Sequence, residues 1–181
     1  AIIRYQRRER WRRTWLPAIA ASFVIATVVG FTLWEWSLRV QHKNVLSAST
    51  SIGTAAESLD QLCREAEERE RKHAGLALAL KMQDEDGQRL VEGFKHQLAD
   101  IDTNIEGIAR NYLGALSQLR TLPATAVGKG RALALQSAAG EERQWATGIV
   151  ASDYEALRSG RATPSSSAAL IQRCRPVKTG S

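Results

Sequence analysis

The chain has 181 residues, of which 44% are hydrophobic and 24% charged, and this composition excludes simple disorder and collagen-like repeats. Its net charge of +6 is uneven, because residues 1–14 alone carry six arginines and one glutamate. The excess positive charge, and with it the high isoelectric point, therefore comes mainly from residues 1–14. Because the rest of the chain is nearly neutral, we predict no nucleic-acid partner. No proline lies between Ala18 and Leu122, so the sequence predicts an all-α protein with long helices.

The first predicted element is a transmembrane helix at residues 15–36. Its centre, Leu16–Trp34, contains no charged residue and makes about 28 Å of helix, close to the hydrocarbon core of about 30 Å. Tryptophans bracket this stretch, as expected at the two membrane–water interfaces. The residues predicted to anchor the helix in the lipid bilayer are Arg12, Arg13, Trp15, Trp34 and Trp36.

The charges that flank this helix predict its orientation. Residues 1–14 form an arginine-rich arm, whereas residues 35–49 hold only Arg39 and Lys43 as firm cations. The positive-inside rule places the arm in the cytoplasm and the remaining chain on the other side of the membrane. The apolar run is longer than that of a usual cleaved signal peptide, so we expect an uncleaved signal anchor.

Residues 37–120 are predicted to form a coiled coil, since two apolar series follow the heptad spacing of three and four residues. One series begins at Val45 and the other at Val91, and both supply predicted core residues. These core residues are Ile52, Leu59, Leu62, Phe94, Leu98, Ile101, Ile105, Ile108 and Tyr112.

The two series are out of phase, and the acidic residues 83–87 between them predict a break in the helix. One continuous helix over Glu35–Arg120 would be about 129 Å long. The same apolar stripes would serve either a homo-oligomeric rod or one intramolecular hairpin that turns at residues 84–87. We expect the extended or oligomeric form rather than the hairpin.

Three further segments complete the predicted organisation. Residues 121–130, which contain Pro123 and two glycines, are predicted to be a linker. Residues 131–158 have a looser apolar face and are predicted to be an amphipathic helix, with Trp145 in the core or, alternatively, as an anchor for a partner. Residues 159–181 are predicted to be a flexible tail, because most of them are polar.

The sequence offers little for catalysis or ligand binding. Gly128-Lys129-Gly130 lacks the spacing of a phosphate-binding loop. His42, His73 and His96 lie far apart, and none has a second histidine four residues away. We therefore predict no enzyme activity, no catalytic or metal-binding residues and no cofactor.

The two cysteines are candidates for an intermolecular disulfide. If Leu62 is a d position, Cys63 is an e position beside the helix seam, whereas Cys174 lies in the predicted flexible tail. Outside the cytoplasm both residues would be able to oxidise. The tail has the fewer geometric constraints, so our hypothesis is a Cys174–Cys174 bridge between protomers.

This organisation resembles the inner-membrane spanins, the Rz-like lysis proteins of phages that infect Gram-negative hosts. The features that carry the resemblance are Arg4–Arg13, Leu16–Trp34, Val45–Ala66 and Val91–Leu119. The resemblance implies a viral protein in the host inner membrane with a periplasmic coiled coil. It also implies an outer-membrane lipoprotein as partner, homo-oligomers, and a role in host cell lysis through fusion of the inner and outer membranes.

A second class of function fits the same organisation. A membrane-anchored coiled coil could instead be a scaffold or assembly protein of a cell-envelope complex, of the division or secretion type. A sensor is a weaker alternative because the predicted cytoplasmic arm has only fourteen residues.

Overall fold

The structure is a computed structural model that describes residues 2–82 and 84–174, with side chains described from residue 21 onward. The described residues contain helices and no β-strand, which confirms the prediction of an all-α protein. Five helices follow in chain order: α1 (Ile2–Ala79), α2 (Glu85–Thr121), α3 (Ala124–Ser137), α4 (Glu141–Arg158) and α5 (Ser167–Ile171).

The chain divides into two compact units, Ala1–Lys43 and Asn44–Ser181. The described part of the first unit is entirely helical and belongs to α1. The second unit contains the end of α1 and all of the four shorter helices.

The end of α1 and the whole of α2 form an antiparallel hairpin inside the second unit. Ser51 donates a hydrogen bond to Gln118 across 3.2 Å, and Arg69 Nε lies 2.7 Å from Asp102 Oδ1. Nearer the turn, a Cβ on Gly75 would come within 2.8 Å of the ring of Phe94. Residue numbers rise along α1 while those of its partners fall along α2, so the two helices run in opposite directions.

The hairpin turns where the sequence is rich in acidic residues. The Asp84 carboxylate accepts a 2.8 Å hydrogen bond from the Gly87 amide and caps α2. Glu85 and Asp86 lie in the first turn of α2, where carboxylates interact favourably with the positive end of the helix dipole. Because α1 ends at Ala79 and α2 begins at Glu85, residues 35–120 are not one continuous helix. Within this chain they form the hairpin rather than an extended rod.

The apolar stripes of the hairpin pack within one chain. Most of the predicted core residues are buried, whereas Phe94 and Ile108 are half-buried. The buried ones are Ile52, Leu59, Leu62, Leu98, Ile101, Ile105 and Tyr112. Helices α3, α4 and α5 add Val127, Val150 and Leu170 to the same cluster, and Trp145 packs against it while half-buried. The core is therefore a helical bundle, and a coiled coil between chains stays a prediction.

The predicted linker at residues 121–130 is wrong from Ala124 onward, because α3 begins there. Leu122 is extended, as expected for a residue before proline, and this ends α2. Within α3, a Cβ on Gly130 would lie 2.7 Å from Ala48 Cβ and 2.8 Å from the Ser49 amide nitrogen. The glycine that suggested a linker therefore permits α3 to approach α1 closely.

The single helix predicted over residues 131–158 is also divided. Residues 138–140 are not helical, and Gly140 has a φ of 93°, which favours glycine. The flexible tail predicted at residues 159–181 is wrong for α5, whose Leu170 is fully buried. The last seven residues of that predicted tail lie outside the described residues.

Candidate functional site

The exposed apolar surface of the first unit is the clearest functional feature. Large apolar side chains face outward along the helix, and Phe23, the most exposed of them, has 76% of its surface accessible. A helix that is apolar all round is unsuited to water and suited to hydrocarbon. The exposed residues are Phe23, Val24, Ile25, Val28, Val29, Phe31, Leu33, Trp34, Trp36 and Leu38.

Two polar side chains in this stretch are satisfied by the helix itself. Thr27 donates its hydroxyl to the Phe23 carbonyl at 2.7 Å, and Thr32 donates to the Val29 carbonyl at 2.9 Å. Through these bonds, both threonine hydroxyls have an acceptor within the helix even when lipid surrounds it.

The described residues contain one helix long and apolar enough, by length and composition, to cross a membrane. Of the predicted anchors, Trp34 and Trp36 are exposed, whereas the side chains of Arg12, Arg13 and Trp15 lie outside the described residues.

A buried polar cluster joins three segments of the second unit. The Tyr112 hydroxyl of α2 donates a 2.6 Å hydrogen bond to Asp153 Oδ2 of α4. Arg173 Nη1 lies 2.7 Å from Asp153 Oδ1, at ion-pair distance but without hydrogen-bond alignment. Asp153 is 1% exposed and Tyr112 is fully buried, so the carboxylate depends on these two partners for compensation.

This environment disfavours the ionised form of Tyr112. Burial contributes most to raising the pKa of the Tyr112 phenol, and the hydrogen bond to Asp153 and the charge of Asp153 raise it further. The charge of Arg173 lowers that pKa and only partly offsets the increase. Tyr112 therefore stays a neutral hydrogen-bond donor to the Asp153 carboxylate.

The cysteines are paired with each other inside one chain. Cys63 of α1 and Cys174 form a disulfide with a Cα–Cα distance of 5.3 Å and a sequence separation of 111 residues. No free cysteine remains among the described residues. The predicted intermolecular Cys174–Cys174 bridge is therefore wrong for this structure, because α5 carries Cys174 back to the hairpin rather than leaving it in a free tail.

Asp153 was not among the residues predicted from the sequence. Asp153 lies three residues after the buried Val150 and seven after the buried Ala146, on the core face of α4. The sequence does place Asp153 on the apolar face of its helix. A buried carboxylate is rarely found without a partner, so this position could have indicated a buried, paired aspartate. Its partners Tyr112 and Arg173 lie 41 and 20 residues away in sequence, so the spacing of the chain does not reveal them.

The second unit also contains an open groove of about 610 Å³. Its wall includes carboxylates and arginines, among them Glu57, Arg64, Glu141 and Arg143. The Arg64 guanidinium is paired with Asp60 at 2.6 Å. Within the described parts of the chain, no group of three or more His, Cys, Asp or Glu side chains could hold a metal ion. The groove therefore presents charged side chains of both signs.

Comparison with protein-family models, curated proteins and solved structures finds no match for this chain. The structural features that bear on function are the exposed apolar helix, the helical hairpin and the buried cluster of Tyr112, Asp153 and Arg173.

Proposed function

We propose that this protein is a single-pass membrane protein with a periplasmic helical domain. The observation that carries the proposal is the exposed apolar surface from Phe23 to Leu38. Burying it in lipid would release about 25 cal/mol for each Å² of apolar surface. The arginine-rich residues 1–14 support a cytoplasmic N-terminus in a bacterial host inner membrane.

The disulfide supports the same orientation independently. Disulfides persist in oxidising compartments such as the periplasm and are rare in the cytosol. Cys63 and Cys174 both lie on the C-terminal side of the apolar stretch. An oxidised second unit therefore agrees with the positive-inside orientation.

Within this topology, we propose that the protein acts in phage lysis as a tether that links the inner and outer membranes and promotes their fusion. The support is the order of an arginine-rich arm, an apolar span and a long, charged helical region. In the second unit, α1 from Asn44 to its end at Ala79 has a length of about 54 Å. A hairpin of this length offers a surface for homo-oligomers and for an outer-membrane lipoprotein.

A membrane-anchored scaffold of a cell-envelope complex is the second candidate. The hairpin favours it, because a chain that folds back on itself presents a surface to partners rather than an extended rod. Leu78, Leu80, Met82 and Leu90 are exposed near the turn of the hairpin. A scaffold would use such an apolar surface to recruit other proteins.

Two experiments separate topology from lysis. A periplasmic reporter fused at the C-terminus is expected to be active, and a reporter that is active only in the cytosol would contradict the orientation. For lysis, the protein is expressed or omitted together with its cognate lysis genes in magnesium-stabilised medium. We expect rupture of the outer membrane to fail without it; unchanged lysis would reject the tether and leave the scaffold.

A further inference from the structure

We propose that Ser166–Cys174, which we name the C-terminal strap, is a redox-releasable latch on the helical hairpin. The strap contains α5 and ends at the cysteine that is bonded to Cys63 of α1. While the bond is intact, the strap is fixed to the hairpin; when the bond is reduced, the strap opens and the helices of the hairpin remain folded. The latch would operate in either of the roles proposed above.

Neither cysteine of the covalent attachment is fully buried. Cys63 and Cys174 are both half-buried rather than enclosed in the core. Thiol–disulfide exchange requires access of the attacking thiolate to one of the two sulfurs. We therefore expect a dithiol from solution to attack this bond without prior unfolding of the bundle.

The non-covalent attachments of the strap are few. Leu170 inserts into the core cluster and is fully buried, and Ile171 packs against the same cluster while half-buried. Arg173 reaches Asp153, but about a third of the arginine side chain stays exposed. The Ser166 side chain accepts a bond from the Ala169 amide, inside the strap itself. Segments with so few buried contacts open at a small fraction of the global unfolding free energy.

The chain before the strap provides a hinge. Residues 161–165 have no helical structure, and Gly160 has a φ of 69°. Pro164 is buried, whereas Ser165 and Ser166 are exposed. Opening would therefore begin after Pro164 and leave α4 in place.

The chemical step is a two-electron reduction by a dithiol. A thiolate of the dithiol attacks one sulfur, breaks the Cys63–Cys174 bond and forms a mixed disulfide with that cysteine. The second thiol of the reagent then resolves the mixed disulfide. The products are two cysteine thiols, which receive the two electrons and two protons, and the oxidised cyclic reagent.

Release would change the surface of the hairpin. Asp153 would lose the Arg173 side chain and gain water, while the bond from Tyr112 would remain. The apolar site that Leu170 fills would open beside this carboxylate. The open state thus presents an apolar groove with one negative charge, and a free strap with the complementary leucine and arginine.

The test is amide hydrogen exchange of the full chain in detergent micelles, with and without dithiothreitol. We expect exchange in peptides covering the strap to rise at least tenfold on reduction, and exchange in α2 to change less than twofold. Re-oxidation should restore the original protection. This measurement uses the unmodified protein and needs no variant to fold.

Three variants serve as controls. Cys63→Ser and Cys174→Ser should each reproduce the reduced pattern, whereas Asp153→Asn with the disulfide intact should keep the strap protected. Unchanged exchange of the strap after reduction would overturn the latch. An equal rise throughout α2 would also overturn it, because the disulfide would then stabilise the whole bundle.

Discussion

Tyr112 donates its hydroxyl to Asp153 over 2.6 Å, and this buried bond joins residues that are 41 positions apart in the sequence. It links α2 to α4, and through Arg173 the same carboxylate also contacts the C-terminal strap. One buried side chain therefore connects the hairpin to two of the segments that pack on it.

Removal of this hydroxyl should destabilise the second unit. Tyr112→Phe leaves Asp153 Oδ2 buried without its donor, which we expect to lower the free energy of unfolding by about 1–3 kcal/mol. Urea unfolding of the full chain in detergent, followed by circular dichroism, measures the change. Tyr154→Phe is the matched control, because the Tyr154 hydroxyl forms no bond with the described residues. Equal effects of the two substitutions would contradict the assignment.

Stability should fall at alkaline pH because of the same tyrosine. The folded protein holds the pKa of Tyr112 above the ordinary value of 10.0, so above that pH the unfolded chain has lost a proton that the folded chain retains. Ionisation then favours the unfolded chain, by up to about 1.4 kcal/mol for each pH unit. The stabilising contribution is complete below pH 10.0 and is lost as the pH rises towards the folded-state pKa.

Unfolding free energies between pH 9 and 11 provide the measurement. Tyr112→Phe should lack this part of the pH dependence, and Tyr154→Phe should retain it. A pH dependence that is identical in the wild type and Tyr112→Phe would show that other groups cause it.

Addition of a single methyl group at the close contact between α3 and α1 should lower the stability of the fold. Gly130→Ala places a Cβ against Ala48 and the Ser49 backbone, and overpacking of this kind costs about 1–3 kcal/mol. Gly128→Ala is the matched control in the same helix, because its added Cβ meets nothing within 4 Å. We expect this control to stabilise the protein by up to about 1 kcal/mol through helix propensity. Thermal unfolding distinguishes the two outcomes, and destabilisation by both would contradict the contact.

A charge in the apolar helix should disturb membrane insertion. Val28→Arg places a guanidinium on an exposed position near the middle of the predicted span, where insertion costs about 2.5–3.5 kcal/mol. We expect a larger share of the protein to be extracted from membranes by alkaline carbonate. Leu133→Arg, at an exposed position of α3, should leave the fractionation unchanged. Equal extraction of both variants would argue against a span at this position.

The sequence predicted the helical class because local patterns carry that information. The absence of proline from Ala18 to Leu122 and the apolar spacing from Val45 and Val91 are sufficient to identify long helices. The uncharged run at Leu16–Trp34 likewise predicts a long apolar helix near the N-terminus, which the structure contains. The prediction of a linker at residues 124–130 was wrong because glycines have low helix propensity. In the structure these residues are helical, and Gly130 lets α3 pack closely against Ala48.

The sequence by itself determined the helical class, the apolar stripes of α1 and α2, and where an uncharged stretch is long enough to cross a membrane. Only the tertiary structure decided that the stripes of α1 and α2 pack on each other, because a heptad stripe is equally complementary to a second copy and to its own chain. The tertiary structure also decided that Cys174 bonds to Cys63. It brings Asp153 together with Tyr112, which donates a hydrogen bond to it, and with Arg173, which lies at ion-pair distance. These contacts depend on how α4 and α5 fold back onto the hairpin, and distances of this kind are not encoded in the spacing of residues along the chain.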